Sequence, residues 1–314
     1  MRLIPGTRVL LRGDGSLQVG VRYPLILGDL SANERRFLER LDTAASVSSA
    51  DQVRFAAVLE GLVAAGLIEQ GSARAGESPL RVALNDGGPI GCGIALTLAR
   101  AGWALAIDDG GRAVQAPRGT YDPGSLAATR QAAAADTIRR VLPEADVCAG
   151  LARADVAVIV SHGAPLIEAA VSLMARDVPH VYVTTDERGA QVGPLVVPGR
   201  GACGTCVGLA RVLSDPEWPL LSLQLTAGHT LPRSAPDVAA QAAALVAGAL
   251  GWWRSERDGQ ADVGAGWLDT VWTLDRNSPP TAAATPAQSD CGCGAAGPVG
   301  DELAARRARM PGAP

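Results

Sequence analysis

The spacing of apolar positions changes along the chain, and the changes divide it. Two apolar-rich runs, residues 7–12 and 16–21, flank Gly13-Asp14-Gly15, the pattern of a hairpin. Ser31-Ala32-Asn33-Glu34 and Ser49-Ala50-Asp51-Gln52 are capping boxes, each opening a helix. The first helix carries Phe37, Leu38 and Leu41 on one face. The second, expected over residues 51–65, carries Val53, Ala56, Ala57, Leu59 and Leu62. Gly66 ends it before a short strand at Leu67-Ile68-Glu69. Strands, then short helices, then a strand predict a small winged-helix-like α+β module over residues 1–72. Residues 71–79 are small and polar and read as a linker.

From Arg81 onward strands alternate with helices. Arg81-Val82-Ala83-Leu84 is a short apolar strand, residues 85–91 a glycine-rich turn, and residues 92–101 an apolar helix closed by Gly102. A second strand ends at Asp108-Asp109, completing a βαβ unit. Residues 110–123 read as loop and 125–141 as a helix. Residues 155–160 form a continuous β-branched run, as in a buried parallel strand, with Ser161-His162-Gly163 at its carboxyl end. A helix over 166–176, a strand over 180–185 and an extended piece over 191–197 follow. Residues 236–253 are Ala-rich and apolar on most faces, hence buried or at an interface. A strand is expected over 267–274, and residues after about 295 read as a flexible tail. The fold class is α/β, a Rossmann-type doubly wound sheet over residues 79–294.

Composition narrows the function. Of 314 residues 47% are hydrophobic but only 4% aromatic, so the core is built mostly of Ala, Val and Leu. Net charge is −4, no lysine occurs, and the helix over 51–65 sets one cation, Arg54, against Asp51 and Glu60. A nucleic-acid partner is therefore not expected, whereas capture of a peptide as an added strand needs no basic face. No apolar run is long enough to span a bilayer, and Met1-Arg2-Leu3-Ile4-Pro5 lacks a signal peptide's features, so a cytoplasmic protein is expected.

The cysteines are the sharpest chemical signal. Cys203-x-x-Cys206 and Cys291-x-Cys293 are close thiol pairs on glycine-rich turns, the pattern of a structural tetrathiolate zinc site that pins the late segment onto the domain. A redox-active pair or a disulfide is the alternative. Cys92 and Cys148 read as buried thiols. Three scattered histidines and the absence of a Gly-x-Ser-x-Gly elbow argue against a Ser–His–Asp hydrolase. The spacing of the turn and the missing lysine argue against a nicotinamide oxidoreductase.

Together these features resemble the ThiF-like, ubiquitin-activating-enzyme-type adenylyltransferase family. The resemblance rests on Gly87-Gly88-x-x-Gly91 before Leu98-Ala99-Arg100-Ala101-Gly102, the acid after the second strand, and Arg130-Gln131. Residues 192–206 with Cys291-Gly292-Cys293 are most similar to the ThiF-like partner proteins of YcaO cyclodehydratases, which carry an N-terminal leader-peptide recognition module. The resemblance implies a homodimer, for which helix 236–253 offers a packing face. It also implies a nucleotide site at Gly87, Gly88, Gly91, Asp109 and Arg130, holding ATP with Mg2+ in an active member that adenylates a carboxylate. Against that stand four departures. Asp86 and Pro89 replace glycines, the family's lysine is missing unless Arg139 or Arg140 substitutes, and Ser161-His162 stands where the family has a metal-holding acid. Pro89 removes an N–H from the phosphate loop, and Asp86 brings a repelling charge. These departures predict a degenerate, non-catalytic member that binds a peptide and a modifying enzyme.

Overall fold

The computed structural model describes residues 1–41, 46–69, 79–150, 154–226, 236–259 and 266–295. Most of the expected linker, His229 and the expected tail beyond residue 295 lie outside them. The chain divides into two compact units, Met1–Ser78 and Pro79–Pro314.

In the first unit β1 (Arg2–Leu3) precedes a meander of β2 (Val9–Leu11), β3 (Leu17–Val19) and β4 (Leu25–Leu27), of which β4 was not expected. The meander is antiparallel in the order β2-β3-β4. Helix α1 (Ala32–Leu41) starts at the expected capping box: Ser31 N–H donates to the Glu34 carboxylate at 2.8 Å and Glu34 N–H to Ser31 Oγ at 3.3 Å. The second helix differs from expectation. Its N-cap is Ser48, and the chain breaks at Phe55 (φ −117°, ψ 33°) into α2 (Ser49–Arg54) and α3 (Ala56–Ala64). The break lets Phe55 stack on Phe37 at 4.2 Å between ring centres, and burial of that pair outweighs an unbroken helix. Val53 consequently points outward, 82% exposed, and leaves the core to Phe55, Val58, Leu59 and Leu62. Strand β5 (Ile68–Glu69) returns antiparallel to β1.

The second unit is one eight-stranded sheet. It contains β6 (Arg81–Leu84), α4 (Pro89–Arg100), β7 (Ala104–Ile107), α5 (Arg130–Val141), β8 (Val147–Ala149) and β9 (Val156–His162). Then come α6 (Ile167–Met174), β10 (His180–Thr185), β11 (Gly189–Val196), α7 (Gly204–Ser214), α8 (Trp218–Thr226), α9 (Pro236–Arg257), β12 (Thr270–Asp275) and β13 (Thr281–Ala284). Strand order is β13-β12-β11-β10-β9-β6-β7-β8, parallel from β10 to β8 and antiparallel from β10 to β13. Chain order reverses between β6 and β9, the switch point where such sheets open a crevice.

Alternation along the central strands covers both faces. Val156, Val158 and Val160 of β9 and Val181 and Val183 of β10 join the larger core with α4, α5 and α9, while Ile159 and Tyr182 join a smaller core with Ala170, Cys203 and Cys206. The apolar face of α9, buried at Val238, Ala242, Val246, Ala249 and Leu250, packs on α4 and the sheet of its own chain. The pairing face expected on this helix is therefore consumed internally. No helix among the described residues is long and apolar enough to cross a membrane.

Candidate functional site

The switch point is built from the residues that follow β6. The β6–β9 ladder ends at Leu84 and Val158, and Asn85 continues it with its side chain. Its amide accepts from Val160 N–H at 2.7 Å and donates to Val160 O at 3.0 Å. Pro89 takes the first turn of α4, where its missing N–H costs no helical bond.

Asp86 then turns inward and is 5% exposed. Its carboxylate accepts from Gly88 N–H at 2.8 Å and from Gly91 N–H at 2.9 Å. These are the donors a helix N-terminus offers to a phosphate, and here the chain supplies its own anion to them. The charge expected to repel phosphate is thus bonded within its own turn. Burial pushes the Asp86 carboxyl up, opposed by the two N–H bonds and by the charge of His162. The glycines serve this closed arrangement. A Cβ on Gly91 would lie 2.0 Å from Asp86 O, and one on Gly87 2.8 Å from the Arg130 carbonyl.

Asp109, the acid after the second strand, is equally engaged. Its Oδ2 accepts from Gly87 N–H at 2.9 Å and from Arg130 Nε at 2.7 Å, and its Oδ1 accepts from Gly111 N–H at 3.0 Å. Burial raises its carboxyl, but Arg130 and the two backbone donors together hold it below the usual range. A carboxyl lowered on folding stabilises above its unfolded pKa, about 3.8, and loses that contribution as pH falls through the folded value. The stability difference between the wild type and Asp109→Asn should therefore narrow on acidification below about pH 4, read by chemical unfolding across that window. A constant difference would remove Asp109 as its source.

Tyr121 was missed by the sequence reading because it lies in the Gly- and Pro-rich loop. Its hydroxyl donates to Gly87 O at 2.8 Å, and burial pushes its pKa up. His162 shares a 2.6 Å hydrogen bond with Thr185 through Nδ1; burial lowers its pKa, with Asp86 pulling the other way. Neither Arg139 nor Arg140 is bonded to the turn. Arg139 donates to Val147 O, and Arg140 pairs with Asp122. Cys148 lies on β8, the edge strand of the sheet, and is only half-buried, with Arg81 Nη1 3.3 Å from its sulfur.

The second cluster is the thiols. The Sγ atoms of Cys203, Cys206, Cys291 and Cys293 all lie within 4.8 Å of one another. Cys203 and Cys206 are 3.8 Å apart, Cys203 and Cys291 3.5 Å, Cys206 and Cys293 3.7 Å. A disulfide would need about 2.05 Å, so none is formed. A tetrahedron with Zn–S bonds of about 2.3 Å has an edge of about 3.8 Å, which these separations fit. Gln288 N–H lies 3.4 Å from Cys206 Sγ, the orientation that supports a thiolate. Burial beside three other sulfurs pushes the Cys291 thiol up, a cost that a dication would reverse. Close packing leaves no room beside Cys203 for a larger residue than Gly204, whose Cβ would lie 2.2 Å from the Tyr182 hydroxyl.

No protein-family model matches the chain, and no curated protein matches it. Solved structures do. Escherichia coli MccB is similar over 93% of this chain and 96% of its own, at 15% identity and a TM-score of 0.60. MccB with AMPCPP and MccA is similar over 94% and 99%, at 14% identity and a TM-score of 0.61. The heterocyclase TruD covers all of this chain at 15% identity and a TM-score of 0.56, but this chain spans only 45% of TruD. At these identities the likeness is one of fold. The chain has the fold of MccB.

Proposed function

We propose that this protein is a non-catalytic ThiF-like partner in ribosomal-peptide modification, holding a leader or substrate peptide for a separate enzyme of the YcaO type. The observation that carries the reading is the Asp86 carboxylate on Gly88 and Gly91 N–H, where a nucleotide's phosphates would need to be. Its support in kind is the likeness to MccB with MccA and to a heterocyclase in complex with substrate. Pyrophosphate exchange with candidate peptides is the test: the wild type gives none, and exchange above background sinks the non-catalytic role.

The peptide's place on this reading is the open edge of β4. Helix α3 runs against that strand, since a Cβ on Gly61 would lie 3.7 Å from Leu25 Cδ2, and Ala57 and Ala64 on the same helix are small and exposed. An extended peptide would add to β4 through backbone hydrogen bonds, with its side chains over α3. Random-peptide display against the full chain should select binders that Gly61→Glu no longer captures; binders indifferent to that change would place the peptide elsewhere.

Zinc on Cys203, Cys206, Cys291 and Cys293 is part of the reading. With four protein sulfurs no coordination position is open, so its role is to fasten the late segment to α7. Pairing of two copies belongs to it as well, through α8 rather than α9. Leu220, Leu221, Leu223 and Leu225 are between 41% and 64% exposed on a helix without charge, and an uncharged face can meet its own copy without repulsion. Sedimentation equilibrium should give twice the 32.0 kDa chain mass, and Leu220→Glu should return the monomer. A monomeric wild type contradicts the pairing.

A second reading, an active adenylyltransferase, is favoured by Asp109 and Arg130 being in place and by the likeness to MccB with AMPCPP. It predicts pyrophosphate exchange that Arg130→Ala abolishes.

A further inference from the structure

The thiol cluster carries a property that metal binding does not use. Two of its sulfurs belong to the domain and two to the late segment, and the two sides differ in exposure. Cys203 and Cys206 are 5% and 0% exposed. Cys291 and Cys293 are half-buried, and Cys293 is the most open of the four. An oxidant arriving from solvent therefore meets the late segment first. The buried sulfurs lie directly behind it, Cys206 at 3.7 Å from Cys293 and Cys203 at 3.5 Å from Cys291.

Pairing within one segment is disfavoured. Only Gly292 separates Cys291 from Cys293, and a disulfide between them would close a small ring with strained torsions. A bond between Cys203 and Cys206, 3.8 Å apart, would leave the other two sulfurs only that strained ring. Joining each domain sulfur to a late-segment sulfur avoids it. The movement needed is small, because each crossing pair must close by about 1.5 Å to reach bonding distance. Gln288 already sets the two segments against each other, with its N–H 3.4 Å from Cys206 Sγ.

We propose that the four cysteines are a peroxide-modified site, at which oxidation replaces the zinc clamp by two disulfides, Cys206–Cys293 and Cys203–Cys291. The Cys293 thiolate attacks the peroxide: an S–O bond forms, the O–O bond breaks, and the leaving oxygen takes a proton to depart as water. The product is a sulfenic acid. The Cys206 thiolate then attacks that sulfur, the S–S bond forms, and the hydroxyl departs with a second proton as water. Cys203 and Cys291 follow with a second peroxide. Two peroxides and four protons become four waters, the thiolates give up four electrons, and zinc leaves as the dication. The late segment stays on α7 throughout, fastened first by metal and then by covalent bonds. The starting state rests on the zinc reading above; the pairing rests on geometry alone.

Hydrogen peroxide, added at two equivalents to the full chain loaded with zinc, tests this. Trypsin cuts after arginine in a chain without lysine, so Cys203 and Cys206 fall in one peptide, 201–211, and Cys291 and Cys293 in another, 277–306. Cys92 and Cys148 lie on other peptides. Without reductant, mass spectrometry should find the two peptides joined and lighter by the hydrogens of two disulfides, and reductant should part them. A chromogenic chelator should read about one zinc released per chain. The oxidised chain should melt about 10 °C or more above the reduced, metal-stripped chain, because the disulfides keep the long loop closed. Separate peptides with internal disulfides, cysteines carried to sulfinic acid, or thiols left intact with zinc retained would each overturn the proposal. Zinc release without joined peptides would keep the clamp and refute the pairing. Joined peptides from a chain that never held zinc would refute the clamp and support the pairing.

Discussion

Cys291→Ser is expected to release the zinc and to lower the thermal midpoint by roughly 10 °C or more. A metal on the four sulfurs would tie Cys203 and Cys206 to Cys291 and Cys293 across 88 and 87 residues. A cross-link over a loop of that length removes about 4–5 kcal/mol of chain entropy from the unfolded state. In a domain of this size each kcal/mol moves the midpoint by about 2–4 °C. Serine is close in volume to cysteine, but its hydroxyl is a hard, poorly ionised ligand, so three thiolates alone would hold the ion weakly. Atomic absorption after dialysis against a chelator should fall from about one zinc per chain to near zero. Full zinc retention with an unchanged midpoint would refute the clamp. The same loss should follow for Cys293→Ser, because both late sulfurs lie against the Cys203–Cys206 turn.

Asp109→Ala is expected to cost about 3–5 kcal/mol, the penalty for removing one partner of a buried pair. The substitution strands Arg130, only 17% exposed along its side chain, and leaves Gly87 and Gly111 N–H without their acceptor. Denaturant unfolding measures it directly. The double change Asp109→Ala/Arg130→Ala should cost less than the two single changes added, since the first already breaks the shared bond. Additive costs, or an Asp109→Ala variant within about 1 kcal/mol of the wild type, would mean the pair carries no structural role. In that case Asp109 would be better understood as a group held ready for a ligand.

The parts legible in the sequence are those with local causes. Glycine-rich turn, strand and helix around Arg81 to Asp109 follow from spacing alone, and the Ser31–Glu34 capping box is a contact within one turn. The four cysteines announce themselves by chemistry, although only the fold brings the two pairs within 4.8 Å of each other. What escaped depends on distant partners. Asp86 was recognised as a charge hostile to phosphate, but only the path of the backbone shows it reaching Gly88 and Gly91 itself. Tyr121 closes over Gly87 from a loop whose Gly and Pro content hid it. The break at Phe55 could not be read from a pattern of helix formers, because a ring stack from α1 decides it. Strand β13 (Thr281–Ala284) is exposed at all four residues and lacks the alternation that would mark a strand, and only pairing with β12 makes it one. Helix α9 was expected either buried or pairing with a second copy, and its packing on α4 was not foreseen.

These observations share one physical theme. A nucleotide-binding loop needs unsatisfied donors, a small residue where phosphate approaches, and an acid able to meet a ribose. Here the donors are bonded to Asp86, the small residues meet the chain's own backbone, and the acid is bonded to Arg130, Gly87 and Gly111. The donors and the acid of this loop are engaged within the chain, as the proposed non-catalytic role requires.

Calorimetric titration of magnesium–ATP into the full chain tests that account most directly. The filled cradle predicts no saturable heat even at millimolar nucleotide. A one-to-one isotherm with a dissociation constant in the micromolar range would contradict it, and would show that Asp86 yields its place to phosphate.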